Sequence, residues 1–141
     1  MTIDRAIDLI RTTADRMNQL YKKTVFDEWA VVALMPEKIV LLRYLGPRKE
    51  GFQKDFLNDT KELRDQFRAN QHSIGDFEFA RHGHGTKAEA FVMIGDDIYL
   101  VCNNTNLTMT DIAKDPLWLS AQVPFLEMSD RFRSEPLAHP M

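Results

Sequence analysis

The chain of 141 residues contains only one cysteine and six glycines, and it has no long apolar run. The single Cys102 excludes an internal disulfide, so we expect a reducing compartment and a cytoplasmic location. No segment approaches the ~20 apolar residues of a membrane-spanning helix. The charged N-terminus differs from a signal peptide. The short Gly83-His84-Gly85 segment lacks the lysine of a phosphate-binding loop.

The net charge is also small, because 18 basic residues nearly balance 21 acidic residues and leave a formal net charge of −3. A nucleic-acid-binding surface needs clustered basic residues, so we expect no nucleic-acid partner. The apolar fraction of 44% is ordinary for a globular protein with one core. We predict a single domain over residues 1–133, followed by a flexible C-terminal tail at 134–141.

Apolar spacing along the chain predicts three helices and five strands. Two of the predicted strands, 29–35 and 98–102, are almost continuously apolar, which is typical of strands that are covered on both faces. Pro124 lies inside the last predicted helix and should kink it. The elements in chain order are helix 2–22, strands 29–35 and 39–45, helix 52–70, strands 77–81, 88–94 and 98–102, and helix 117–131.

This order resembles the roadblock family of dynein light chains and its bacterial relatives, within the longin/profilin-like group. The resemblance is carried by the apolar hairpin 29–45, the tight hairpin 91–101 and a long terminal helix after a polar loop. It implies a homodimeric scaffold protein, which in bacteria often has a small GTPase as its partner. The chain has no nucleotide-binding loop of its own, so a GTPase would act in trans.

We therefore predict an α+β domain of topology αββαβββα, with a five-stranded antiparallel sheet in the order 2-1-5-4-3. The first and last helices should cover one face, and the second helix should lie near the other. Three apolar helical stripes exceed what two sheet faces need, which favours a homodimer. Its predicted interface combines the edge strand 39–45 with apolar residues of the second helix: Phe52, Phe56, Leu63 and Phe67.

Residues with chemical potential are scarce. His82 and His84, with His72 nearby in sequence, could bind a metal, but a third and fourth ligand lack motif spacing, so a polar turn is favoured. Cys102 ends an apolar strand without the helix N-terminus that stabilises a thiolate, which favours a buried structural role. The acidic pair Asp27-Glu28 is interpreted as part of a turn. We predict neither a cofactor nor a metal.

These features favour a non-catalytic protein-interaction module over an enzyme. One alternative is a small-molecule sensor, because profilin-like sheets can hold a ligand against a helix. A second is a small hydrolase that uses Cys102 or His84. The predicted partner loops contain Arg48, Lys49 and Arg81, and reversing all three charges should weaken partner binding while leaving the fold intact.

Overall fold

The computed structural model describes residues 1–56, 65, 67, 69, 73–79 and 88–139. Its described strands are β1 Glu28–Leu34, β2 Ile39–Leu45, β3 Phe77–Phe79, β4 Glu89–Gly95 and β5 Ile98–Asn103. They form one antiparallel sheet in the order β2-β1-β5-β4-β3, which confirms the predicted fold class and strand order.

The described helices with defined bounds are α1 Ile3–Tyr21, α2 Lys49–Phe56, α3 Met109–Lys114, α4 Trp118–Ala121 and α5 Val123–Ser134. Thr2 is the N-cap of α1 and accepts a hydrogen bond from the Arg5 amide. Helix α2 starts three residues before the predicted start at Phe52, and positions 65, 67 and 69 are helical as well.

The prediction of one kinked terminal helix over 117–131 is wrong. The segment forms two helices that are separated at Gln122, and Pro124 lies in the first turn of α5. Backbone N–H groups in a first helical turn have no partner within the helix, so the missing proline N–H costs little there. Pro124 therefore marks where a helix starts.

Both faces of the sheet are buried, as the continuous apolar runs predict. Every residue of β1 and of β5 is buried. On one face, Trp29 and Cys102 lie beneath α1, α4 and α5, while on the other face Ala30 and Val101 lie beneath Phe52 of α2. The first and last helices thus share one face and α2 covers the other, as predicted.

The C-terminal segment, predicted as a flexible tail over 134–141, packs against the domain within its described residues 134–139. Leu137 is 3% exposed and its amide donates to the Ile94 carbonyl at 2.8 Å. The Ala138 amide donates to Met1 O at 2.9 Å. A Cβ at Gly95 would lie 2.7 Å from Leu137 O, so glycine is what allows this close approach. The apolar side chain and the strand end together dock the segment.

We predict that Leu137→Ala lowers the free energy of unfolding by about 2–4 kcal/mol, because it empties a filled site in the core. Urea unfolding of the purified chain measures this effect. The matched control is Ala138→Ser, which changes an exposed side chain and should stay within about 0.5 kcal/mol of wild type. Equal stability of Leu137→Ala and wild type would mean that the segment is not docked.

Candidate functional site

Several of the predicted site residues lie outside the part of the chain that the structure describes. His72, His82, His84, Arg81 and Leu63 lie outside the described residues, as does the side chain of Phe56 in α2. Within the described residues, no group of three or more acidic, histidine or cysteine side chains is arranged to hold a metal ion. The predictions for these positions stay predictions.

Two of the predicted interface residues belong to the core of their own chain. Phe52 is 0% exposed and Phe67 is 2% exposed. The ring of Phe67 stacks on Tyr99 with centroids 4.5 Å apart, and it meets Phe91 edge-on at 5.5 Å. The prediction that these two phenylalanines face a partner is therefore wrong, because the central strands offer enough apolar surface to bury both rings.

Cys102 lies inside the sheet and points toward α1, α4 and α5. It is fully buried, and this burial raises the pKa of its thiol well above the usual value. A nucleophilic cysteine needs a lowered thiol pKa and access to substrate. Both observations favour the predicted structural role.

The most unusual polar cluster of the described chain lies where β1 begins and β2 ends. Glu28, which the sequence suggested as part of a turn, is the first residue of β1 and is 0% exposed. Its carboxylate accepts hydrogen bonds from the Tyr44 hydroxyl at 2.5 Å and from Arg48 Nη2 at 2.9 Å. The buried charge of Glu28 is thus compensated by a phenol and a guanidinium.

The backbone brings these three side chains together. Ala30 pairs with Tyr44 in the β1–β2 ladder, so Tyr44 lies on the same sheet face as Glu28, two residues before Ala30. The Arg48 amide donates to the Tyr44 hydroxyl at 3.0 Å, which fixes the start of α2 against the sheet. A Cβ at Gly46 would lie 2.7 Å from the Tyr44 hydroxyl, so only glycine leaves room for this contact.

The electrostatics of the cluster keep Tyr44 protonated. Burial, followed by the hydrogen bond to Glu28, raises the pKa of Tyr44 to about 12 from 10.0. A phenol with this pKa donates a hydrogen bond at neutral pH and is a poor general base. The arrangement is therefore better suited to holding the connection between β2 and α2 in place than to transferring a proton.

A second polar network holds the adjacent loop. Asp27 accepts hydrogen bonds from both the amide and the hydroxyl of Thr105, the latter at 2.5 Å. The amide group of Asn104 donates to the carbonyls of Thr24 and Val25. These hydrogen bonds connect the α1–β1 loop to the segment after β5, at the end of the sheet where Glu28 lies.

Arg48, which was predicted to lie in a loop that contacts a partner, binds Glu28 of its own chain instead. Its guanidinium is committed to Glu28, and its side chain is 39% exposed. Reversing its charge would set two carboxylates against each other, one of them buried, so we expect this change to lower the stability of the fold. Lys49, in contrast, is exposed at the first position of α2.

The sequence carries only a faint signal for the cluster. Glu28 directly precedes an apolar strand, and Tyr44 and Arg48 flank the Gly46-Pro47 turn. Their meeting depends on the β1–β2 register, which includes a bulge between Val31 and Val32. Charge and spacing alone therefore do not indicate that Arg48 binds Glu28 while its neighbour Lys49 is exposed.

Comparison with models of protein families, with curated proteins and with solved structures gives no match to this chain. None of the described helices combines the length and the apolar character that crossing a membrane requires.

We predict that Arg48→Ala lowers the free energy of unfolding by about 2 kcal/mol, because it leaves the buried Glu28 carboxylate without its cation. This is below the usual cost for fully buried pairs, since water reaches the guanidinium. Lys49→Ala, the neighbouring exposed cation, should stay within about 0.5 kcal/mol of wild type. Adding Glu28→Gln to Arg48→Ala should recover part of the loss. Equal effects of the two alanine variants would contradict the assignment.

Stability should also fall at alkaline pH through Tyr44. The pKa of Tyr44 is about 12 in the folded chain and the ordinary 10.0 of a tyrosine in the unfolded chain, so the unfolded chain loses the phenol proton first. The contribution of Tyr44 is therefore complete below pH 10 and is lost as the pH rises toward 12. Urea unfolding of wild type and Tyr44→Phe at several pH values measures it. The wild type should lose more stability than the variant across this window, and parallel curves would refute the linkage.

Proposed function

We propose that this chain is a non-catalytic protein-interaction module that works as a homodimer. The observation that carries the proposal is the filling of the α2-side sheet face by the chain's own aromatic rings. Phe52 packs against Tyr44 at 5.5 Å, and Phe67 covers Tyr99 and Phe91. A sensor would use this face to hold a ligand between sheet and helix, so its occupation by side chains favours the interaction module.

The hydrolase alternative lacks comparable support. Cys102 is buried with a raised thiol pKa, and His84 lies outside the described residues. The roadblock resemblance implies a scaffold role and, among bacterial relatives, a small GTPase as client. We propose that such a client binds in trans near the exposed Lys49 at the start of α2.

Native mass spectrometry of the purified chain tests the proposal against the sensor in one measurement. At roughly tens of micromolar, where weak reversible dimers form, we expect the mass of two chains with no added small molecule. A monomer at this concentration would contradict the homodimer. A monomer or dimer carrying a stoichiometric extra mass would favour the sensor.

A further inference from the structure

Residues 135–139, which follow α5, form a strap that lies against the end of β4. Among these five residues Leu137 alone is buried, while Pro136 and Ala138 on either side of it are exposed. One apolar side chain therefore anchors the strap in the core. Because a single leucine buries far less apolar surface than two strands that are covered on both faces, the strap is held more weakly than the sheet.

The backbone of the strap bonds to groups outside the regular ladder and helix hydrogen bonds. The β4–β5 ladder has a bulge at Ile94, whose carbonyl accepts the Leu137 amide at 2.8 Å. Met1 precedes the N-cap of α1, and its carbonyl accepts the Ala138 amide at 2.9 Å. Breaking these two hydrogen bonds therefore leaves the sheet and the helices intact.

The connection between α5 and the strap allows it to move while α5 stays in place. Helix α5 ends at Ser134, and the amide of its C-cap Glu135 donates to Arg131 O at 2.8 Å. Pro136 has no backbone N–H and so cannot continue the hydrogen bonding of the helix. Rotation about the backbone of Glu135 can therefore move Leu137 out of the core without unwinding α5.

We propose that the strap opens and closes as a unit while the sheet and the helices stay folded. The closed strap covers the apolar end of the core, where Ile94 and Ile98 belong to the same buried cluster as Leu137. Gly95 permits this closure, since a Cβ there would lie 2.7 Å from Leu137 O. Opening uncovers this end of the core, so the strap is a reversible cover for an apolar surface. The inference does not depend on the proposed homodimer.

Amide hydrogen exchange of the full chain, followed by NMR with and without up to about 1 M urea, tests the strap. The amides of Leu137 and Ala138 should exchange at least about tenfold faster than that of Leu100 in β5, after correction for intrinsic rates. Their rates should change little in dilute urea, because opening the strap exposes little surface. The Leu100 rate should rise steeply, because it requires global unfolding.

Arg48→Ala gives a second comparison, because Arg48 contacts Glu28 on the other face of the sheet, away from the strap. The loss of stability expected for this variant should speed exchange at Leu100 about 30-fold. The amides of Leu137 and Ala138 should stay within about twofold of their wild-type rates, since local opening is unaffected. Strap amides that match Leu100 in rate and urea dependence, or that accelerate with it in Arg48→Ala, would overturn the proposal.

Discussion

The burial of β1 and β5 on both faces is the constraint on which the rest of the structure depends. Two strands without a polar face cannot meet water, so each side of the sheet needs its own cover. Helices α1, α4 and α5 supply one cover, while Phe52 and Phe67 supply the other. The apolar helical stripes that suggested surplus surface are largely used in this way.

The burial of the sheet also explains why the buried charged residue at the start of β1 needs compensation. Glu28 stands at the first position of a buried strand, where an ionised carboxylate without partners would be very costly. Tyr44 and Arg48 meet it from the next strand and the next helix. Arg48, in the charged connector between β2 and α2, thus belongs to the architecture. Its neighbour Lys49 is exposed.

Local pattern was enough to predict the sheet order, because periodicity and unbroken apolar runs report burial directly. It failed where the outcome depends on contacts distant in sequence. The Leu137 amide donates to the Ile94 carbonyl, and the residues around Leu137 in the sequence do not indicate this contact. Pro124 was assigned correctly to a helix but to the wrong part of it, since a proline is compatible with a first turn as well as with a kink. Arg48 and Lys49 are neighbours whose difference arises only from the fold.

The account holds that both faces of the sheet are covered by the chain itself. Amide hydrogen exchange, measured residue by residue, tests this most directly. We expect the amides of β1 and β5 to exchange only through global unfolding, because both strands are buried on both faces. Rapid exchange in β1 or β5 under native conditions would contradict the account.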